Sequence, residues 1–469
     1  MLGMKLKAPN AFVLIFGIMI AMACLTWIVP GGEYAREERA IEGVGTRMVV
    51  VPERFEEVEA VGQGPFQLIQ SPILGAEDAA DTLAFILLIG GAFGVLQATG
   101  ALMAALKWLT MRARGSGRFL MIPVLMFAFS TGGVLFGMAE ETLVFVLLTV
   151  PLAVSLGFDT VTGVAIPFVG SQAGFATAFV NPFSFGIAKS IAEQPSGVGQ
   201  GYRVVCWLIV TSICIAFVMW HAWRVAKDPS RSMTPELDET WRRKVAEDDA
   251  SDTSEGGVIS KAQVFTLLVF AACMVWLGYG SIRLGWYVTE ISGVFIGMAI
   301  VCGIAGRLSP GQMADAFMQG AKDLCPTAVL VAFSRAILVL ARDAHIVDTI
   351  LHSVAGAMEG QGPAIGVQCM YLVQSTLNFM IPSGSGQAAL TMPIMTPLAD
   401  LLQIHRESAV LAFQFGDGFT NMIIPTNPVC IGTIGAAGLG YGTWFRWMLK
   451  WQVLLFFTGA LLLAMSPFS

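Results

Sequence analysis

The stretch GSQAGFATAFVNPFSFG, residues 170–186, interrupts a long apolar run with glycines, polar side chains and an Asn-Pro pair. The stretch GDGFTNMIIPTNPVCIG, residues 416–432, does the same in the second half of the chain. The apolar runs around them exceed the roughly 20 residues that one membrane crossing needs. Proline removes a backbone donor. We therefore predict two transmembrane helices that are each broken near the middle, at Pro182 and Pro428.

An internal repeat relates these two stretches at one ungapped offset of about 246 positions, which is typical of duplicated transporters. The offset carries Gly170 onto Gly416 and the first Asn-Pro pair onto the second. It also carries the tripeptide Pro-Leu-Ala at 151–153 onto the same tripeptide at 397–399. An odd number of predicted crossings separates the two copies, so we expect the repeats to be inverted relative to each other.

The composition is that of an all-α polytopic membrane protein. Only 13% of the 469 residues are charged, against roughly 25% in soluble proteins. The mean hydropathy is +0.70, and 55% of the residues are hydrophobic. The net charge of −6 argues against a nucleic-acid partner. No nucleotide-binding, nucleophile-elbow or zinc-protease motif occurs, and the eight cysteines are scattered, so we predict no enzyme, no metal site and no cofactor.

Hydropathy predicts about nine transmembrane helices and two re-entrant hairpins. The spans are 11–29, 83–106, 160–192, 202–225, 261–281, 286–305, 324–342, 407–440 and 444–466, and the hairpins are 119–157 and 363–404. We divide the chain into a first repeat, a linker, a connecting helix and a second inverted repeat, at residues 1–225, 226–260, 261–281 and 282–469.

Charge predicts the orientation in a bacterial cytoplasmic (inner) membrane. Most basic residues lie in segments that become cytoplasmic when the N-terminus is inside. Loop 30–70, with eight glutamates and a Met48–Pro52 segment that suggests a short strand pair, is then external. The acidic, Ser-rich linker 226–260 is predicted to be cytoplasmic and flexible. The C-terminus is predicted to be outside.

Polar residues that fall inside the hairpins and broken helices form the candidate substrate- and ion-binding site. The first repeat contributes Ser130, Thr131, Glu140, Glu141, Thr142, Ser171, Gln172 and Asn181. The second contributes Asn378, Ser383, Ser385, Gln387, Asp417, Thr420, Asn421, Thr426 and Asn427. An acid inside a span costs on the order of 3 kcal/mol, so acids there are rarely idle.

Several roles remain open for the charged residues. Glu140, Glu141 and Asp417 suit a substrate ammonium group or a coupling proton, whereas a wet hairpin edge or an ion pair between Asp417 and Arg335 would make them structural. Arg335 is either a clamp for a substrate carboxylate or an ion-pair partner.

Inverted repeats with broken helices are the architecture of secondary transporters. Amides at a helix N-terminus attract carboxylates, while freed carbonyls coordinate cations. The sequence thus predicts ion-coupled symport or antiport of a small carboxylate-bearing metabolite, either an amino acid, for example a basic one, or a C4-dicarboxylate. The alternatives are a proton- or sodium-coupled ion antiporter and, in a different class, a membrane-embedded enzyme. The partners are then the substrate, a coupling Na⁺ or H⁺ and the lipid bilayer.

The opening KLKAPNAFVLIFGIMIAMACLTWIVPGGEY, residues 5–34, and the hairpin-plus-Asn-Pro pattern resemble the YfcC-like, DcuC-type anaerobic C4-dicarboxylate carrier family. That family belongs to a superfamily of elevator-type carriers. The resemblance implies that hairpins and broken helices move together against a scaffold, and it suggests a homodimer. Sodium-coupled members of the superfamily carry Ser-Asn-Thr motifs, where this chain has Ser130-Thr131 and Ser383-Gly-Ser385. The resemblance therefore does not imply sodium coupling.

Overall fold

The computed structural model describes residues 11–41, 45–112, 117–195, 197–251, 260–284, 286, 288–358, 360 and 362–468. These residues are mainly helical, with one antiparallel β-hairpin. Within them, seven helices are long and apolar enough to cross a membrane. The prediction of an all-α polytopic membrane protein is therefore confirmed.

The first half of the chain runs from an N-terminal helix through the β-hairpin to a long helix before the linker. Its elements are α1 (Ala11–Leu25), β1 (Gly31–Ile41), β2 (Gly45–Val58), α2 (Pro65–Asp78), α3 (Ala80–Ala98), α4 (Ala101–Arg112), α5 (Gly117–Phe136), α6 (Thr142–Ser155), α7 (Thr160–Ala176), a π-helical turn (Pro182–Gly186), α8 (Ile187–Ile191) and α9 (Gln200–Lys227).

The second half begins with a 3₁₀ turn at Pro229–Arg231. Its helices are α10 (Pro235–Ser251), α11 (Lys261–Arg283), α12 (Val288–Ala305), α13 (Pro310–Asp343), α14 (Val347–Met358), α15 (Pro363–Leu377), α16 (Gly384–Leu401), α17 (Arg406–Thr420), α18 (Pro428–Ala436) and α19 (Tyr441–Ala464).

Both predicted helix breaks are present. Helix α7 ends at Ala176, and helical structure resumes at Pro182, where the Asn181 side chain accepts hydrogen bonds from two backbone amides of the π-helical turn. Helix α17 ends at Thr420, and Asn427 caps α18 in the same way. Each asparagine thus satisfies amides that the preceding break leaves without a carbonyl.

The two predicted hairpins are pairs of helices joined by short tips. In the first, α5 and α6 flank residues 137–141. In the second, α15 and α16 flank residues 378–383. Each hairpin packs on the broken helix of its own half, α5 and α6 on α7, and α15 and α16 on α17.

The linker prediction is wrong over residues 235–251, which form α10 instead of a flexible segment. The carboxylate of Asp238 accepts hydrogen bonds from the backbone amide and the hydroxyl of Thr160, at 2.7 and 2.6 Å, where α7 begins. The Trp241 indole donates to the carbonyl of Ala437 at 3.1 Å. Long-range contacts of this kind order a segment whose local composition favours disorder. Of the rest of the linker, residues 252–259 lie outside the described residues.

Two other helix predictions need correction. The predicted span 83–106 is two helices, because Gly100 has a φ of +70° and ends the first of them. The predicted span 324–342 is the C-terminal part of α13, which begins at Pro310 with a Ser309 capping box. Hydropathy locates only the lipid-embedded part of such a helix, because its first turns are polar.

Helices α3 and α13 pack tightly through glycines. A Cβ atom at Gly320 would overlap the carbonyl of Gly90, and one at Gly94 would overlap the carbonyl of Ala316. Small residues at a helix crossing let the backbones approach closely, which is typical of membrane helices.

The β-hairpin is longer than the short strand pair that the sequence suggests. Its strands pair from Gly31 with Val58 to Ile41 with Gly45, with an irregularity near Tyr34. The hairpin is fixed to α14, where Asp348 accepts the backbone amide of Tyr34 at 2.9 Å and pairs with Arg36 at 2.8 Å. The Tyr34 hydroxyl also lies 2.8 Å from Nδ1 of His352.

Candidate functional site

The two broken helices contact each other where α17 passes α7. A Cβ atom at Gly418 would overlap the backbone of Ala176, the last residue of α7. Asp417 therefore lies beside this crossing, in the last turn of α17 before the second break.

Asp417 is fully buried, and only one of its two carboxylate oxygens has a hydrogen-bond partner among the described residues. Its Oδ1 accepts a hydrogen bond from Nδ2 of Asn421 at 2.8 Å. Its Oδ2 is buried and has no hydrogen-bond partner among the described residues. A buried carboxylate oxygen without a donor is costly, so this atom is the chemically outstanding feature of the site.

Asparagines join Asp417 to the second hairpin and to the second break. Nδ2 of Asn378, at the hairpin tip, donates to the Asp417 carbonyl at 2.9 Å, to Oγ1 of Thr420 at 2.7 Å and to Oδ1 of Asn421 at 2.8 Å. Nδ2 of Asn427 donates to the same Asn421 oxygen at 2.5 Å. Five residues predicted from the sequence thus form one cluster, which we call the Asp417 cluster: Asn378, Asp417, Thr420, Asn421 and Asn427.

The second hairpin brings the first break to this cluster. A Cβ atom at Gly384 would lie 2.8 Å from Oδ2 of Asp417, 2.9 Å from the Phe175 ring and 3.1 Å from Cβ of Ser184. Phe175 lies in the last turn of α7, and Ser184 lies in the π-helical turn after the first break. Parts of both halves therefore meet at the free oxygen of Asp417.

Two acceptor oxygens of the Asp417 cluster have no donor among the described residues. Besides Oδ2 of Asp417, the buried Oδ1 of Asn378 has no partner among the described residues. The nearby Thr426 hydroxyl is also buried without one. Carboxylate, amide and hydroxyl oxygens without donors suit a ligand that brings protons or positive charge, such as an ammonium group, a proton or an alkali cation.

The first break is closed by its own hairpin. The Ser171 hydroxyl donates to the carbonyl of Met138 at the tip of the first hairpin. Nδ2 of Asn181 donates to Ser184 at 3.1 Å. Gly137, which has a φ of +69°, leaves no space beside Asn181 for a side chain, because a Cβ atom there would lie 2.7 Å from Nδ2.

The two glutamates predicted for the site lie at the tip of the first hairpin. Glu141 is buried, and its Oε2 accepts the backbone amide of Ala139 at 3.1 Å, whereas Glu140 is half-buried. The neighbouring Thr142 hydroxyl lies 3.2 Å from that of Thr433 in α18. These contacts connect the first hairpin to α18.

The other predicted site residues make local contacts. Ser130 bonds to Trp207 and Thr211 of α9, Gln387 to Gln374 inside the second hairpin, Thr131 to the Phe127 carbonyl, and Ser383 to the Gly386 amide. Ser385 is half-buried, and Gln172 is buried, with no partner for its Oε1 in the described ranges. Among the described residues, no hydrogen bond joins any of these side chains to the Asp417 cluster.

Of the two roles considered for Arg335, the structure supports the ion pair, but with a different partner. The Arg335 guanidinium pairs with Asp78 at the end of α2, which also accepts Arg342 at 2.8 Å. The alternative in which Arg335 pairs with Asp417 is therefore wrong.

Sequence reasoning missed a buried charged group that joins α9 to α17. Nε of Arg203 lies 2.5 Å from Oε1 of Glu407, and Nη1 lies 3.3 Å from Oε1 of Gln414. Nζ of Lys189 lies 3.9 Å from the same glutamate. The sequence signals are Arg203 near the start of the apolar span 202–225 and Glu407 at the start of the span 407–440, because a mean hydropathy over each span conceals such individual charges.

A separate cavity of about 510 Å³ lies between α3–α4, α6 and α10. Its walls are Leu102, Leu147 and Leu148, and Trp241, Lys244 and Asp323 contribute the polar part of its lining. It does not include the Asp417 cluster.

Comparison with known proteins agrees with a membrane transporter. The family described as C4-dicarboxylate anaerobic carrier, DcuC, matches residues 8–466. A relative from Escherichia coli K12, named "Putative basic amino acid antiporter YfcC", is 36% identical over 93% of this chain and 92% of its own length.

Two solved structures also resemble the chain. The YdaH transporter of Alcanivorax borkumensis is 18% identical, with a TM-score of 0.42 over 97% of this chain and 98% of its own. MtrF of Neisseria gonorrhoeae, described with a class of antimetabolite efflux pumps, is 16% identical, with a TM-score of 0.42 over 98% of this chain and 95% of its own. From the family match and the identity to YfcC, the chain belongs to the DcuC family of multi-pass membrane transporters.

Proposed function

We propose that this chain is a secondary active transporter for a small metabolite with both an ammonium and a carboxylate group, that is, an amino acid. The observation that carries the proposal is the buried Oδ2 of Asp417, which has no donor among the described residues. An ammonium group supplies both the positive charge and the hydrogen bonds that this oxygen lacks.

The N-terminus of α16 is the proposed partner of the substrate carboxylate. Helix α16 begins at Gly384, whose backbone lies against Asp417. Unpaired amides at a helix start attract anions, so the two ends of an amino acid would find opposite partners within a few ångströms. A basic amino acid agrees with the name of the YfcC relative.

The proposal includes coupling and topology. We propose transport across the bacterial cytoplasmic membrane by antiport or by symport with H⁺ or Na⁺, with the N-terminus inside and the C-terminus outside. We also propose inverted repeats at 1–225 and 282–469 whose hairpins and broken helices move as one body, in a homodimer. The packing of each hairpin on the broken helix of its own half supports this grouping.

A C4-dicarboxylate is the second candidate, and one observation favours it. The buried Nη2 of Arg203 has no hydrogen-bond partner among the described residues, and guanidinium groups bind carboxylates well. The description of the matched family names the same substrate class.

A thermal-shift screen of the purified protein tests the proposal. Amino acids and C4-dicarboxylates are compared as ligands, because a ligand at 100 times its Kd stabilises the folded state by about 2.7 kcal/mol. We expect a shift with an amino acid that disappears in Asp417→Asn. The control is Asp343→Asn, which changes an acid that is 43% exposed. A shift with dicarboxylates alone, unchanged in Asp417→Asn, would refute the amino-acid proposal.

A further inference from the structure

Arg203 is a buried cation whose hydrogen-bond and ring contacts lie on the two broken helices and the turn after the first break. Its side chain is 1% exposed. Glu407 and Gln414, two of its partners, belong to α17. The others are the carbonyl of Ala178 and the ring of Phe185, with the guanidinium carbon 4.5 Å from the ring centroid.

The carbonyls near the first break are of the kind that coordinates cations in broken-helix transporters. Here three of them, the carbonyls of Phe175, Ala178 and Phe179, accept side-chain donors, with Nε2 of Gln200 donating to Phe179 at 3.3 Å. Nη1 of Arg203 donates to the Ala178 carbonyl at 3.3 Å, and Nε2 of Gln414 donates to the Phe175 carbonyl at 3.0 Å. A guanidinium group cannot lose its charge in a protein, so the positive charge at this break is permanent.

At the second break, the described side chains that donate to carbonyls are all neutral, with no counterpart of Arg203. The Met422 carbonyl accepts the Trp444 indole at 2.8 Å, and the Ile423 carbonyl accepts the Tyr441 hydroxyl at 2.7 Å, both neutral donors. Oδ2 of Asp417 and Oδ1 of Asn378, which lie beside it, have no hydrogen-bond partner within the described part of the chain.

The repeat offset shows that the arginine group has no counterpart. Adding 246 to Arg203 gives Leu449, which is exposed on α19. Subtracting 246 from Glu407 and Gln414 gives Val161 and Phe168, which are both buried and apolar. The charged group therefore serves the first break only.

We propose that Arg203 is a built-in cation of the first break, so that an exchangeable cation or substrate ammonium group binds only at the second break. This inference rests on the proposed function, because it concerns where the positive partner of the transport cycle binds. It assigns to Arg203 a positioning role, in which its charge holds the first break closed while the Asp417 cluster exchanges its ligand.

The test removes the Arg203 guanidinium group by mutation and then supplies free guanidinium ion in its place. Arg203→Ala leaves a space beside Ala178, Phe185 and Glu407 that fits a free guanidinium ion. We expect this variant to lose uptake of the substrate found in the screen. Millimolar guanidinium chloride should restore part of the uptake and raise the Tm of this variant only. Arg342→Ala is the matched control, since it removes an arginine that pairs with Asp78 outside the broken helices.

A double variant covers the case in which Arg203→Ala does not fold. In Arg203→Met with Glu407→Gln the Arg203–Glu407 pair is removed, which leaves no unpaired carboxylate, while Lys189 keeps its hydrogen bond to the Val198 carbonyl at 2.6 Å. We expect a folded protein whose uptake remains at least tenfold below wild type. Wild-type uptake by the double variant without added cation would overturn the proposal. So would a folded Arg203→Ala variant whose Tm does not change when guanidinium chloride is added. Both results are independent of the Asp417→Asn ligand shift, which tests the proposed function itself.

Discussion

The backbone of Gly384 lies so close to Asp417 that a Cβ atom at position 384 would be 2.8 Å from Oδ2. The second hairpin thus covers the carboxylate oxygen of the Asp417 cluster for which the described residues supply no donor. A methyl group added at position 384 would crowd Oδ2 and the Phe175 ring, so it tests whether a ligand binds beside this oxygen.

We expect Gly384→Ala to lower substrate affinity at least tenfold while the protein stays folded, because the methyl group competes with the ligand beside Oδ2. The measurement is the apparent KM of uptake together with the Tm. Gly386→Ala is the matched control, since its Cβ would approach only Ile381 and Ser383 of the same hairpin. Equal effects of the two variants would place the ligand elsewhere.

Asp417→Asn and Glu141→Gln separate substrate binding from ion coupling. If Asp417 binds the substrate ammonium, Asp417→Asn should lose both pH-driven accumulation and counterflow of labelled substrate in proteoliposomes. We expect Glu141→Gln to lose accumulation but keep counterflow, as a carrier of the coupling proton would. Wild-type behaviour of both variants in both assays would show that the two acids are structural.

The substitution Asn427→Asp distinguishes the role of Asn427 as the cap of α18 from its role in the Asp417 cluster. Its carboxylate can still accept the amides of Val429 and Cys430, which Asn427 caps at 2.8 and 3.1 Å, but it can no longer donate to Asn421. We expect a Tm near that of wild type and a loss of transport. Asn427→Leu removes the cap as well and should cost about 1 kcal/mol more. Transport by Asn427→Asp at the wild-type rate would show that the cap alone matters.

We expect the β-hairpin to detach from α14 at alkaline pH. Burial and the neighbouring Asp348 carboxylate raise the pKa of Tyr34 from 10.0 to about 12. Because the folded state prefers the neutral phenol, this contribution to stability is complete below pH 10 and is lost as the pH rises towards 12. Protease cleavage of the hairpin should therefore accelerate between pH 10 and 12. In Tyr34→Phe the cleavage rate should be higher at every pH but should rise less between pH 10 and 12. An equal rise with pH in both proteins would exclude Tyr34 as the cause.

Single cysteines test the predicted orientation in a background without the eight native ones. Cysteines in loop 30–70 and at the C-terminus should react with an impermeant thiol reagent in intact cells. A cysteine in 226–260 should react only after permeabilisation. Labelling of 226–260 from outside would reverse the orientation.

Features that depend on neighbouring residues, such as the two helix breaks, can be predicted from the sequence. Proline and a capping asparagine act on their immediate neighbours, so the breaks before Pro182 and Pro428 could be located from the residues alone. Arg203 could not be found in this way, because its partner Glu407 is 204 positions away. Helix α10 was missed for the same reason, since the acidic linker is ordered by α7 and the end of α18, which are distant in the chain.

The contacts of α10 also set a limit on movement. Because Asp238 holds Thr160 and Trp241 holds the Ala437 carbonyl, any displacement of α7 and α18 carries α10 along. Only residues 252–259 then connect α10 to Ser260, which caps α11. A chain of this length reaches at most about 30 Å. If the broken helices move as proposed, deletions within 252–259 should therefore stop transport below a defined length without changing the ligand site.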